Sequence, residues 1–375
     1  MQRTDHPLLS PSLGSHKTLT SFHFGRPGAG PKVYMQASLH ADELPAMLVV
    51  HHLMGLLRAA EAAGQLQGQV VLVPVANPIG LAQRLDHKAM GRFELGSSEN
   101  FNRQFPDLTA AVAPMVASTL GNDPLANVAL VRQAMGQHLQ AQRPSTELQS
   151  LRLALLQLAH DADHVLDLHC DCEAVMHLYT EDGCWPALAP LAQLLGSQAV
   201  LLAQGSGGRS FDECLSGPWW QLPDILGLSE ASTPLPQACC SATVELRGEG
   251  DVSHALAAAD ARALLGFLQH VQVVAGSVPA LPAARCEPTP LAGSQTLRAA
   301  QAGLVVFAAQ PGDRLRQGEL VAEVIDPVAQ HTERVLAGVD GVLYARIRER
   351  YVTAGGELGK IAGATPFRTG PLLGD

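Results

Sequence analysis

The chain has 375 residues, 47% of them apolar and 16% charged, with 25 Lys and Arg against 35 Asp and Glu. That is apolar material for one large core and a smaller one, and a mildly acidic surface without a basic stripe excludes nucleic acid as a partner. No apolar run approaches the roughly 20 residues that span a bilayer, and the opening residues lack a signal-peptide core. Seven Cys with no Cys-x-x-Cys pair argue against a disulfide framework or a thiolate zinc cluster. The expectation is a soluble cytoplasmic protein with reduced thiols and no membrane partner.

Residues 1–31 read as a polar leader rich in Gly and Pro, with one edge strand near 18–24 and no function. An apolar strand then ends at His40. Three residues later Glu43 stands ahead of a helix over about 44–63, with Pro45 in its first turn and Gly64 as its left-handed stop. Ligands in parallel α/β sheets bind at the carboxyl ends of strands, so an imidazole and a carboxylate displayed there suit a metal. Alone the motif is weak: about one or two His-x-x-acid matches arise by chance, and His160/Asp163 and His164/Asp167 also fit. His51 and His52, adjacent on the helix, point about 100° apart and read as surface or core side chains.

A second buried strand over 69–75 completes a strand–helix–strand crossover. The long segment 80–108 carries Arg84, Arg92 and the pair Asn102-Arg103. Guanidinium and amide together can hold a carboxylate, but an ion pair of Arg103 with Asp107 or Glu99 fits equally well. Helices are expected over 109–160 with a break at 121–124. The run His164-Val-Leu-Asp-Leu-His169 repeats the layout at His40, a strand that delivers an imidazole at its tip. One such histidine is most simply a satisfied side chain at a sheet edge; two alongside an acid read better as ligands. Cys170 and Cys172 read as buried or incidental.

Beyond lie a strand near 174–179, a helix over 185–195 and a strand over 198–203. Gly205–Gly208, with no lysine or well-patterned helix after it, reads as a flexible loop over a pocket. The strand around Glu245 places a carboxylate between Val244 and Leu246, costly to bury unless it is paired or its raised pKa is used. Glu245 is thereby a candidate general base. A helix follows over about 253–270.

The order Ser-Leu-His40-Ala-Asp-Glu43, Asn-Phe-Asn102-Arg103-Gln-Phe-Pro, Leu-Asp-Leu-His169 and Thr-Val-Glu245-Leu-Arg resembles the zinc carboxypeptidase-like hydrolases. Within them it is most similar to the succinylglutamate desuccinylase/aspartoacylase family, over roughly residues 30–270. The resemblance implies a zinc-carboxypeptidase-like three-layer α/β/α domain with a mixed central sheet. It implies one zinc ion per chain on His40, Glu43 and His169, a substrate carboxylate held by Asn102 and Arg103, and Glu245 as the base. It also implies a second arginine that polarises the scissile carbonyl; Arg92 is the candidate, with Arg84 behind it. The family often has an acid two positions before the Asn-Arg pair, supporting a zinc-bound histidine, where this chain has Asn100. An amide oxygen can still accept the imidazole N–H, with lower metal affinity as the consequence.

Four prolines between Pro279 and Pro290 mark a linker over 276–296, which separates a hydrolase domain at 1–275 from a β-domain at 297–375. The last part repeats: Gly303-Leu-Val-Val matches Gly341-Val-Leu-Tyr, and Gly318-Glu-Leu matches Gly356-Glu-Leu at the same offset. This pattern resembles a small lipoyl/barrel-sandwich-like all-β domain. Residues 326–340 hold no lysine, so a carrier role is rejected in favour of shielding the site mouth or helping assembly as a homo-oligomer. The expected activity is zinc-dependent amide hydrolysis of a small N-acyl amino acid. The alternatives are a metallocarboxypeptidase acting on peptides and an inactive binding protein of the same fold.

Overall fold

Four runs of Val, Leu and Met lie side by side in parallel. Lys32–Ala37 pairs with Gln69–Val73 on one flank and His164–Asp171 on the other, and the latter pairs with Cys240–Gly248. Strands this apolar must be covered on both faces. The computed structural model describes residues 1–373 and builds these four into a nine-stranded mixed sheet. Met176–Thr180 adds antiparallel to Cys240–Gly248, and Ala199–Leu202 and Thr289–Pro290 follow in parallel with it. Two apolar cores form, one on each face. Pro45–Ala62, Trp185–Leu195 and His254–His270 close one; Leu108–Val116, Pro124–Ala141, Glu147–Ala159 and Phe211–Leu226 close the other. The result is a mixed α/β fold.

Two readings need correction. The leader is a hairpin: Gln2–Pro7 pairs antiparallel with Thr18–Gly25, which joins Gln69–Val73 and extends the sheet. Its outer strand, Gln-Arg-Thr-Asp-His-Pro, is largely exposed, so it lacks the apolar alternation that marks a strand. The Gly205–Gly208 stretch is followed by a helix after all, Phe211–Leu226, whose pattern is broken by Pro218 and Pro223. Among the described residues no helix is long and apolar enough to cross a membrane.

Residues 294–363 form further antiparallel sheets. The repeat seen in sequence has a structural counterpart: Gly303–Phe307 pairs with Leu320–Asp326, and Gly341–Arg346 pairs with Glu357–Gly363. Each unit lends a short strand to the other, Arg314–Leu315 to Gly341–Arg346 and Tyr351–Val352 to Gly303–Phe307. These sheets are tied to the central one. Ala345 and Arg346 pair with Ala174 and Glu173, Lys360 reaches Asp171 at 2.9 Å, and Arg346 reaches Glu173 at 2.7 Å.

Candidate metal centre and its cavity

His40 and Glu43 are aimed by a turn. Just past the Lys32–Ala37 strand, Ser38 adopts a left-handed conformation (φ 58°), and its hydroxyl donates to Glu43 O at 2.6 Å. Glu43 N–H donates back to His40 O at 3.1 Å, and Pro45 then opens the helix. Asn77 pins the same turn by donating to Leu39 O. His169 arrives from the neighbouring strand, in register with Glu245 on the next one.

These segments converge. His40, Glu43 and His169 are all buried and each brings a ligand atom within 4.8 Å of the others. His40 Nδ1 is 3.0 Å from Glu43 Oε1, and His169 Nδ1 is 2.7 Å from Glu43 Oε2. The outer nitrogens are already engaged, His40 Nε2 with Asn100 Oδ1 and His169 Nε2 with Asp167 Oδ2, both at 2.9 Å. Both acceptors call for a proton on Nε2, which leaves each Nδ1 a lone pair directed at a carboxylate. Such an arrangement repels itself unless a cation lies between. A proton on His169 relieves one contact; a metal ion relieves all three donors at once. The residues therefore fit a divalent ion, with two imidazoles and a carboxylate leaving a coordination position open.

The electrostatics agree. Burial alone would raise the Glu43 carboxyl, yet the two imidazoles, His169 first, hold it far below the usual range. Burial opposes charge on His169, but the Asp167 and Glu43 carboxylates outweigh it and hold its pKa well above an ordinary imidazole. His40 is lowered by burial and then by the Arg92 guanidinium. Beside them Glu245 is pushed up to about 8 by burial and then by the Glu43 charge, and its Oε2 is buried without a partner. The thiols nearby are held neutral: burial and surrounding carboxylates raise Cys170, and Cys172 is pushed up to about 12.

His40, Glu43, His169, Glu245 and the two thiols line one cavity of about 800 Å³. Arg92 is in it, half-exposed, with Nη1 at 3.4 Å from His40 Nδ1 and 3.7 Å from Glu43 Oε1. Arg84 is not among the lining residues; it is exposed and donates to His87 O. Arg103 is buried, lines the cavity and packs its Cδ where a Cβ on Gly208 would fall at 2.8 Å, so glycine is required there. Asn102 also lines it, but its Oδ1 accepts from Phe211 N–H at 2.8 Å and its Nδ2 lies 3.4 Å from Asp167 Oδ2. His51 and His52 sit on the Pro45–Ala62 helix away from the cavity.

Sequence reasoning missed Asp167. It is fully buried, and besides His169 it accepts from Gln36 Nε2 at 2.9 Å. Two residues before His169 on the same strand, it shares that histidine's face, and an acid in an apolar run needs a partner. The burial cost that marks Glu245 marks Asp167 equally. Also missed were Glu181, Asp212 and Glu213, which line the cavity beyond Thr243.

A family model described as the succinylglutamate desuccinylase/aspartoacylase catalytic domain matches residues 29–271, a span that holds every residue of the metal centre. Among solved structures, a succinylglutamate desuccinylase/aspartoacylase family protein from Shewanella amazonensis SB2B is 26% identical with a TM-score of 0.83, over 96% of this chain and 98% of that one. One from Shewanella frigidimarina NCIMB 400 is 25% identical with a TM-score of 0.84, over 96% and 97%. One from Rhodobacter sphaeroides, at 18% identity, 97% and 95% coverage and a TM-score of 0.66, shares the fold. No curated protein matches. With the family model covering well over half of its length, the chain belongs to the succinylglutamate desuccinylase/aspartoacylase family, a family of hydrolytic deacylases.

Proposed function

We propose that the protein is a zinc-dependent amidohydrolase that removes the acyl group from a small N-acyl amino acid. The observation that carries this reading is the convergence of His40 Nδ1, the Glu43 carboxylate and His169 Nδ1, with the unpartnered Glu245 carboxyl in the same cavity. Zinc on these three ligands would supply Lewis-acid activation of water and of the acyl carbonyl. Glu245 takes the proton of the attacking water and returns it to the leaving amine. Arg92, at the edge of the cluster, donates to the carbonyl oxygen as charge develops there. Arg103 holds the substrate carboxylate. Asn102, which already fixes the start of the Phe211–Leu226 helix, adds an amide to that grip. Asp167 and Asn100 fix the tautomer and ring orientation of the two histidines.

The cavity favours a small substrate over a peptide. Tyr344, Arg346, Lys360 and residues 371–373 line it, and Leu372 N–H donates to Ser206 O at 2.7 Å. This supports a shielding role for residues 297–375 as a lipoyl/barrel-sandwich-like domain.

The test is elemental analysis of the purified protein together with Glu245→Gln. One zinc per chain, unchanged in the variant, with turnover of N-acyl amino acids down by about a thousandfold or more, is the expected result. Full activity in Glu245→Gln removes Glu245 as the base, and protein that takes up no stoichiometric metal removes the reading altogether.

A further inference from the structure

The cavity has a second end, walled by acids that the proposed chemistry does not use. Glu181 follows the Met176–Thr180 strand and is 4% exposed. Its Oε1 accepts from Trp220 Nε1 at 3.0 Å, while its Oε2 is buried with no donor. The nearby Ser216 hydroxyl eases the burial of Glu181 but gives its hydrogen bond to Asp212 O at 3.2 Å. Asp212 is buried beside it and bonded by the Ser210 and Thr243 hydroxyls at 2.5 and 3.1 Å; Glu213 accepts from Ser206 N–H at 2.6 Å. Among the described residues, no Lys, Arg or His is ion-paired with any of the three, and the charges that act most on Glu181 are Asp212 and Glu213.

The lining also holds Lys360 and Arg346, but these are already paired with Asp171 and Glu173. The helix N-terminus at Phe211 explains acids at 212 and 213. It does not explain Glu181, which stands on another element and lacks a donor for one oxygen.

Register gives the scale. Thr243 is opposite Tyr179 and Glu245 is opposite His177, so Glu181 lies four strand residues from the level of Glu245, roughly 13 Å. Two glutamate side chains reaching inward leave room for a short chain between the scissile amide and Glu181.

We propose that this acidic wall recognises a substrate ammonium, so that the preferred substrate is an N-acyl amino acid with a basic side chain. The inference rests on the amidohydrolase reading and names its substrate class. A buried carboxylate with an empty acceptor gains a charge-assisted hydrogen bond from an ammonium, and an isosteric methyl would leave it unpaired.

The test compares Nα-acetyl and Nα-succinyl derivatives of L-ornithine and of L-norleucine, equal in chain length, on the zinc-loaded enzyme. Binding of free L-ornithine and L-norleucine is followed by calorimetry in parallel. The expected result is a kcat/KM at least tenfold higher for the ornithine derivatives and a matching preference in binding. Glu181→Gln, or Asp212→Asn should the first variant fold poorly, is expected to cut that ratio at least tenfold. Hydrolysis of both with no preference, or a preference untouched by the variants, overturns the inference and leaves the amidohydrolase reading standing. Preferential ornithine binding that depends on Glu181, without hydrolysis, does the reverse, and neither binding nor preference overturns the inference outright.

Discussion

The two ends of the cavity each present buried carboxylates that a cation would complete, yet they are built differently. At the metal end three donors from two segments come within 4.8 Å, and the outer nitrogens of the two imidazoles are already held by Asn100 and Asp167. That is the geometry of a small ion. At the far end Glu181, Asp212 and Glu213 spread along a wall and keep their indole, hydroxyl and backbone N–H partners. Such a surface suits an extended organic cation. The contrast shows that an excess of acid is not by itself a metal site: what decides is whether the lone pairs converge and whether the groups behind them fix their direction.

Within the metal end the two imidazoles form a sharper contrast. His169 is backed by a charged acceptor that belongs to a buried chain, Tyr34 to Gln36 to Asp167. His40 is backed by the neutral Asn100, which also accepts from Asn102 N–H and leaves its Nδ2 buried without a partner. Replacing Asp167 with Asn removes the charge behind His169, and metal affinity should fall by about 10- to 100-fold in competition titrations. An affinity equal to wild type would mean that Asp167 serves the core alone. The reverse change, Asn100→Asp, should raise affinity by a smaller factor, roughly severalfold, because it also removes an orphaned donor. Should affinity fall instead, the two histidines are not equivalent partners of one ion.

Much of the metal end was legible because strand periodicity and the cost of burial leave marks in the sequence. His40, His169 and Glu245 interrupt apolar runs, and the structure brings all three to one cavity. Asn100 was placed by resemblance and does accept from His40 Nε2. The far end left no such mark. Glu181 follows a strand as an ordinary turn residue, and its partner Trp220 lies on a helix that Pro218 and Pro223 concealed. The outer hairpin strand Gln2–Pro7 was hidden for another reason, since an edge strand exposed on both faces needs no apolar alternation. What sequence carries poorly is the meeting of side chains whose local surroundings are each unremarkable.

A last expected effect bears on the far end alone and needs no substrate. Burial, opposed by the Ser216 and Trp220 contacts and reinforced by Asp212 and Glu213, pushes Glu181 up to about 7 from an ordinary 4.5. Between those values the folded protein keeps a proton that the unfolded chain has released. The contribution is therefore whole below about pH 4.5 and is lost as pH rises through about 7. Glu181→Gln mimics the protonated form at every pH. It should match wild type in urea unfolding at pH 4.5 and exceed it by about 2–3 kcal/mol at pH 8.5. Asp212, pushed up to about 6 by burial and then Glu213, gives the same sign over a narrower window. Saturating L-ornithine should shrink the wild-type deficit at pH 8.5, because an ammonium at Glu181 stabilises the carboxylate that burial penalises. A difference between variant and wild type that stays flat with pH would show that Glu181 already has a compensating partner, and the contrast between the two ends would collapse.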